Sequence, residues 1–340
     1  MGQVSVIVLN WNGKHFLKEC LGSLGDQTFK GFETVLVDNG STDGSVEYVK
    51  QYFPEVEVIA LPDNVGFARG SNVGIQASKG EYVALLNNDT KTDPRWVEAL
   101  KIALDTHPEV GFCASKMLFY NRPDIINAAG DVYYSCGVAS QRGCFQPDGE
   151  DFSRAEYVFG ACAGAAMYRR AMLEDIGLLD GDFFAYAEDV DLSFRAQLMG
   201  YKCLFVPDAI IYHHYHGTST HQWDTAFYLS RRNCLYVIVK NLPTDLLLKN
   251  LPVILSYYLV GDIWHILNRR GRDVVRSRFD NVKNLMRMLR KRRAIQARRR
   301  VSSEYLASLL ISGALWKTIR FNLSRWGNHS PFGMQLEGGD

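Results

Sequence analysis

Several short stretches of this 340-residue chain combine residue types that could do chemistry. Asn87-Asn88-Asp89-Thr90 sets one carboxylate beside carboxamides and a hydroxyl. These are hard oxygen donors suited to Mg²⁺ or Mn²⁺, ions commonly shared with a diphosphate. Glu188-Asp189 places adjacent acids behind the aromatic run Phe183-Phe184-Ala185-Tyr186, where a shielded carboxylate could serve as a general base. His213, His214 and His216 stand close together, and one could complete a metal sphere begun by Asp89. Each stretch also has an ordinary reading, as a strand-ending turn, a helix N-cap, or surface and core histidines.

The elements that must position these residues read as alternating strands and helices. Val4 to Leu9 is a β-branched apolar run ending at Asn10, and Phe16, Leu17, Cys20, Leu21 and Leu24 follow at helical spacing. Thr34 to Val37 closes on the loop Asp38 to Ser45, which leads into a second helix, and Val56 to Leu61 is a third strand-like run. Val83 to Leu86 runs without a turn residue into Asn87. This order predicts an α/β fold with a mostly parallel sheet, helices on both faces and ligands at the strands' carboxyl ends. Gly66, Gly70 and Gly74 recur every fourth residue after Asn64, which fits neither a dinucleotide fingerprint nor a P-loop. Arg69 within this stretch reads equally as a diphosphate contact and as a surface arginine. Asp93-Pro94 opens a helix, and Val110 to Ala114 reads as a short strand. Lys116 to Tyr157 reads as a loop-rich insertion able to shape acceptor choice. Beyond a small-residue stretch at 160–168, Glu188 and Asp189 stand at the start of a helix that carries an Asp191–Arg195 pair at i,i+4. Lys202 to Val206 and Ile210 to Tyr212 read as two strands.

Charge divides the chain. Residues 1–239 hold 19 Lys and Arg against 30 Asp and Glu, whereas residues 240–340 hold 19 against 7. The net charge of +1 is therefore the difference between an acidic front (−11) and a basic back (+12). That asymmetry suggests a catalytic body over 1–239 and a mainly helical region over 240–340 that meets an anionic surface. Apolar residues from Leu242 to Leu267 are followed by arginine clusters at 269–272, 290–293 and 298–300, and by a helix carrying Tyr305, Leu309 and Trp316. The longest uncharged run, 250–261, is too short to span a bilayer, so the expectation is peripheral attachment to anionic lipid. A homodimer interface and nucleic-acid binding are the rival readings of this region. Seven scattered cysteines without a Cys-x-x-Cys, and an N-terminus without a basic, cleavable leader, point to the cytoplasm.

In this order and spacing, these motifs resemble family 2 glycosyltransferases of GT-A fold. The carriers are Ser5-Val6-Ile7-Val8 through Asn12, Val37 to Gly44, Asn64 to Ala68, Leu86 to Asp89, Phe184 to Leu192, and Tyr212-His213. The likeness extends from residue 3 to about 235 and is strongest to bacterial rhamnosyltransferase-like enzymes of cell-surface polysaccharide synthesis. It implies that Asp38 binds the nucleobase and that Asn10, Asn64, Asn87 and Asn88 line the donor site. It further implies that Asp89 and His213 hold a divalent metal, and that Asp189, beside Glu188, is the general base of an inverting transfer. Asn87 stands where the family often has Asp, which leaves Asp89 the single charged ligand of this turn. The implied partners are a nucleotide-diphosphate sugar, with dTDP-L-rhamnose ahead of UDP-hexoses, and a glycan or lipid-linked acceptor at the cytoplasmic face of the membrane. A nucleotidyltransferase would need a phosphate loop that the N-terminus lacks. A non-catalytic sugar-nucleotide or nucleic-acid binding protein would have no use for both Asp89 and Glu188-Asp189.

Overall fold

A computed structural model describes residues 3–214 and 223–312. His216, Trp316 and the segment 328–340, expected to be a tail, lie outside them. In chain order the elements are β1 (Val4–Asn10), α1 (Lys14–Gly25), β2 (Phe32–Asp38), α2 (Ser45–Tyr52), β3 (Glu57–Ala60), α3 (Phe67–Ala77), β4 (Tyr82–Asn87), β5 (Thr90–Thr92), α4 (Trp96–Thr106) and β6 (Val110–Phe119). There follow β7 (Arg122–Ala129), β8 (Asp131–Tyr134), β9 (Val138–Gln141), β10 (Glu156–Val158), β11 (Ala165–Arg169), α5 (Arg170–Ile176), α6 (Glu188–Leu198) and β12 (Lys202–His213). The C-terminal part comprises α7 (Trp223–Asn241), α8 (Thr244–His265), α9 (Gly271–Ala297), α10 (Ser303–Leu309) and β13 (Leu310–Ile311).

The main sheet has ten strands, ordered β10-β12-β6-β11-β4-β1-β2-β3 with β5 and β7 added at its margin. β3, β2, β1 and β4 are parallel, whereas β11 runs antiparallel between β4 and β6. Strands buried on both faces read as continuous apolar runs, and β1 is buried along nearly its whole length. Its alternate side chains divide between two cores: Val4, Val6 and Val8 pack with α1 and α4 residues, and Ile7 with α3 residues. The glycine periodicity of α3 serves this packing. A Cβ at Gly70 would lie 2.6 Å from Leu9 Cδ1, and one at Gly74 would lie 2.4 Å from Ile7 Cγ2. The close neighbour of this helix is thus the sheet.

Two sequence expectations differ from the structure. The stretch 116–157 is largely strand: β7 pairs with β6, and β8 and β9 form a hairpin in a separate three-stranded sheet with β13. Its strands are short and their periods are broken by turns, so no run carries a clear signal. The strands expected at 202–206 and 210–212 are one strand, β12, whose register shifts between Val206 and Ile210. The irregularity accommodates Pro207, which cannot donate to a ladder.

Helix α7 runs through the position where the charge changes sign. The C-terminal helices share a third core with the front of the chain, in which Tyr133, Phe183 and Phe194 pack with Tyr236, Leu246, Ile254 and Met288. Much of the opposite charge on the two parts meets across this junction. Lys240, 1% exposed, lies 2.5 Å from Asp180 Oδ2 and 2.7 Å from Asp191 Oδ1. Lys291 bonds Asp180 and Asp182, Arg287 bonds Asp182, and Arg298 and Arg300 bond Asp175. Asp191 also takes Arg195 Nε at 2.9 Å and Asn241 Nδ2 at 2.8 Å. Burial opposes the charge on Asp191 and Asp180, but Lys240 overcomes it and holds both carboxyls below the ordinary aspartate range. A folded-state pKa below the unfolded one contributes stability above the unfolded value, and that stability is lost as pH falls. Lys240→Met would leave Asp191 with Arg195 and Asp180 with Lys291 but remove the ammonium they share, and a loss of up to about 3–5 kcal/mol is expected from urea unfolding near pH 7. The deficit should shrink below about pH 4, where protonation removes the stranded charge.

Candidate active site

Strand order reverses around β1, the position at which an open parallel sheet leaves a crevice at its carboxyl ends. A string of hydrogen bonds joins the three strand ends there. Asn88 Nδ2 donates to Asn10 Oδ1 (2.7 Å), Asn10 Nδ2 donates to Asp38 Oδ2 (2.9 Å), and the Ser41 N–H donates to Asp38 Oδ1 (2.9 Å). Gly13 makes room for it, since a Cβ would stand 2.0 Å from Asn88 Nδ2. Next to Asp38, Asn39 Nδ2 donates to Asn64 Oδ1 (3.0 Å) and Asn39 Oδ1 accepts the Val65 N–H (2.9 Å).

A cavity of about 620 Å³ opens beside this string. Asn64, Asn87, Asn88, Asp89, Glu188, Asp189 and His213 all line it, so the structure brings together residues spread over 150 positions of sequence. Asn10 and Asp38 lie just outside its lining, buried in the hydrogen-bond string. Arg69, expected as a diphosphate contact, is not among the lining residues. With Gly70 and Gly74 turned to the sheet, residue 69 faces outward, and its side chain lies against Gly181.

The approach of His213 to Asp89 follows from strand pairing. β5 leaves directly after Asp89 and pairs antiparallel with β12, placing Thr90 opposite His213. His213 Nε2 lies 3.3 Å from Asp89 Oδ1, and Nδ1 lies 3.0 Å from Asn127 Oδ1. With Nδ1–H given to Asn127, the Nε2 lone pair faces the carboxylate, the second-shell arrangement usual for a ligating imidazole. His214 is engaged elsewhere, 2.9 Å from Glu19 Oε2 and stacked on Tyr120. No cluster of three or more His, Cys, Asp or Glu suited to a metal occurs among the described residues. Mg²⁺ and Mn²⁺ shared with phosphates commonly take only one or two protein ligands. Asp89, 3% exposed with an Oδ1 that accepts no regular hydrogen bond, and His213 fit such an ion.

Glu188 and Asp189 open α6 after a turn in which Phe184, Tyr186 and Ala187 have φ of 65°, 69° and 64°. Left-handed backbone at such residues costs of order 1–3 kcal/mol each and persists only where surroundings over-determine it. Here the fully buried Asn233 of α7 is the clamp. Its Nδ2 lies 3.0, 2.9 and 2.7 Å from the carbonyl oxygens of Phe183, Ala185 and Tyr186, and Arg232 donates to those of Asp182 and Phe183. From the other side, the Ala68 N–H donates to Phe184 O. A Cβ at Gly66 would come within 2.5 Å of that oxygen.

The two acids differ in their partners. Asp189 accepts the Ala163 N–H at Oδ2 (3.1 Å) and the Val190 N–H at Oδ1 (2.8 Å), whereas Glu188 Oε2 is buried without a hydrogen-bond partner. Burial raises the pKa of both. The amide donors restrain the rise at Asp189, while the charge of Asp189 pushes Glu188 further up. Of this pair, Asp189 is therefore the more readily ionised. A fourth carboxyl, Asp131 of β8, lines the same cavity and was not apparent from sequence, where it sits in a stretch without a clear period. Asn127 and Asn233 were missed for the same reason: their partners lie tens of residues away. Among the described lining residues there are four carboxyl groups and no Lys or Arg.

Residues 5–177, just over half of the chain, match the family model "Glycosyl transferase family 2". An N-acetylglucosaminyl-diphospho-decaprenol L-rhamnosyltransferase of Mycobacterium tuberculosis is 27% identical over 239 residues, which cover 62% of this chain and 75% of that protein. The mannosyltransferase PcManGT from Pyrobaculum calidifontis, solved with GDP-Man and Mn²⁺, superposes with a TM-score of 0.54 at 16% identity, covering 90% of this chain and 85% of that one. GalNAc-T7, solved with UDP, GalNAc and Mn²⁺, superposes at 0.57 with 17% identity over 71% of this chain; the match spans 48% of GalNAc-T7. At these identities the solved structures carry the fold, and the family match carries the rest: the chain belongs to glycosyl transferase family 2 and is a glycosyltransferase of GT-A fold.

Proposed function

We propose that this enzyme is an inverting, divalent-metal-dependent transferase that moves a sugar from a nucleoside diphosphate to a hydroxyl of a lipid-linked glycan at the cytoplasmic face of the membrane. L-Rhamnose from dTDP-rhamnose is the leading donor, supported by the name of the mycobacterial relative and by the motif resemblance; a UDP-hexose is the alternative. The observation that carries the reading is the cavity itself. It has Asp89 with His213 at one side and Glu188 with Asp189 at another, and its described lining offers a dianionic diphosphate no Lys or Arg.

Asp89 and His213 would hold the cation, which when bound offsets the charge of the donor diphosphate and of the leaving nucleotide. Asn64, Asn87 and Asn88 bind the donor, and Asp38 and Asn10 fix the loop that receives the base. Asp189, held by two backbone amides, takes the proton from the acceptor hydroxyl as its oxygen attacks the anomeric carbon from the face opposite the nucleotide. Glu188, the harder of the two to ionise because of burial and the neighbouring Asp189, stands beside it. Of the two sequence readings of Arg69, its outward position favours the surface arginine over the diphosphate contact.

Membrane attachment rests on α8 and α9. By length and composition the helical stretch Thr244–Ala297, which α8 opens, could cross a membrane, and little of its most apolar part is buried. One face, however, is packed on the protein through Ile254, Tyr257, Tyr258 and Gly261, and Asp262 pairs with Arg231 and Arg278. Leu248, Leu255, Leu259 and Ile263 are exposed on the other. On α9, Val275, Phe279, Val282, Met286 and Leu289 form an exposed stripe flanked by Arg272, Arg276, Lys283 and Arg290. Self-pairing along this stripe would oppose cation to cation, so an anionic bilayer fits it better than a second copy.

Thermal shift should show stabilisation by dTDP or UDP only with Mn²⁺ or Mg²⁺, and Asp89→Asn should remove that increment while leaving the apo transition in place. Asp189→Asn is expected to lower kcat by about 10²–10⁴ with little change in donor affinity. In the wild type, the acid limb of kcat/KM should lie above the ordinary aspartate value of about 4, because burial raises Asp189 and the base works only ionised. Near-normal turnover of Asp189→Asn would remove it as the base. In flotation assays the enzyme should rise with phosphatidylglycerol vesicles and not with phosphatidylcholine alone. Replacing Leu255, Leu259 and Phe279 together by Ser should abolish this, and equal flotation with neutral vesicles would contradict the anionic surface.

A further inference from the structure

The β8–β9 hairpin closes the cavity from a sheet separate from the donor-side strands, and its acid has no place in the chemistry above. Asp131 is 4% exposed and lines the cavity. It is held there by backbone: Gly130, at φ 84°, turns the chain, and the Asp131 N–H donates to Gly160 O (2.8 Å). Gly160 in turn abuts α6, since a Cβ on it would lie 2.6 Å from Ser193 Oγ and 3.7 Å from Asp131 Cβ. Ser193 is four residues after Asp189 on that helix, and so on the same face. β8 is thereby pressed against the turn of α6 that carries the base.

Two further observations point to a ligand rather than to a structural acid. Tyr133, two residues along and on the same face of β8, also lines the cavity, and its buried hydroxyl has no hydrogen-bond partner among the described residues. Glu188 Oε2, 5% exposed, is equally unpartnered. Buried polar atoms in native proteins are generally satisfied, so unpartnered ones lining one cavity mark where an outside hydrogen-bonding group belongs. Burial and the neighbouring Asp189 keep the Asp131 carboxyl well above its ordinary range. In its protonated form, which that environment favours, the carboxyl donates to one oxygen while accepting from another, and this suits a polyhydroxylated ring better than a phosphate.

We infer that β8 forms the acceptor-binding wall, with the Asp131 carboxyl holding a hydroxyl of the acceptor sugar adjacent to the one that Asp189 deprotonates and the Tyr133 hydroxyl offered to a more distant polar group of the same acceptor. The inference rests on the transferase reading and names the part of its site that selects the acceptor. Asp131 and Tyr133 are here binding residues, and the loss should appear in acceptor KM.

The test uses the full chain with dTDP-rhamnose and UDP-hexoses as donors and octyl pyranosides, below their micellar concentration, as acceptors. Circular dichroism and Tm establish that each variant is folded. Tyr133→Phe removes one hydroxyl and keeps the ring against Phe159. It should raise acceptor KM about threefold to tenfold, and Asp131→Ala about tenfold to a hundredfold, with donor KM within about twofold of wild type. Asp131→Asn, which still donates and accepts, should fall between wild type and Asp131→Ala. Unchanged acceptor KM in folded Asp131→Ala, or donor and acceptor KM rising together, would overturn the inference and leave the transferase reading standing. Direct titration of the octyl pyranosides into the enzyme separates the two failures. Wild-type protein that binds them through Asp131 but transfers no sugar would discredit the donor reading alone, and wild-type protein that binds none of them would overturn the acceptor wall.

Discussion

The acid side of the candidate site depends on the ion pairing of a basic helical layer with an acidic α/β body. A buried ammonium between two buried carboxylates is worth retaining only when all partners are present, and Lys240 meets that condition with Asp180 and Asp191. The same helix, α7, carries Asn233, the clamp on the left-handed turn ahead of Glu188. A turn with three non-glycine residues at positive φ would relax if released, and the acids it presents would move with it. The C-terminal helices are thus part of the scaffold of the site, in addition to whatever surface they meet.

Electrostatics give the cavity a definite character. Four carboxyls and no Lys or Arg among its described lining residues make it hostile to a bare diphosphate. The sheet contributes carboxamides at its strand ends, which can hydrogen-bond a nucleotide without adding charge. Within the acidic side, unequal solvation separates the acids: the Ala163 and Val190 amides serve Asp189, while for Glu188 and Asp131 burial and the charge of Asp189 weigh most. Burial and main-chain geometry, with no Lys or Arg among the described lining residues, therefore set the order in which these acids ionise.

Local chemistry was legible in the sequence wherever one segment contained it. Apolar runs ending in Asn10, Asp38 and Asn87, the i,i+4 pair Asp191–Arg195, and the helix start at Glu188 all depend on residues a few positions apart. What escaped depended on pairing across the chain. Asp131 enters the cavity because Gly160 and Ser193 make room beside α6, and Asn233 finds its carbonyls some 50 positions upstream. The basic C-terminal region shows the same limit in another form. Composition recorded its excess of arginine but could not separate Arg298 and Arg300, spent on Asp175, or Arg276, laid over the Tyr228 ring, from Arg272, which is exposed.

On the proposed membrane attachment, the placement of α8 would have a kinetic consequence. Its inner face touches the β8–β9 turn, where the Tyr258 hydroxyl donates to Gly137 O and Ile254 approaches Gly137. Its outer face is apolar. A bilayer resting on that outer face would stand about one helix diameter, some 10 Å, from the hairpin. An acceptor anchored by its lipid could then present its sugar without leaving the leaflet, and encounter would be a search in two dimensions. For such an enzyme the governing variable is the mole fraction of acceptor in the surface, and diluting it with inert lipid slows turnover even when the bulk concentration of acceptor stays fixed.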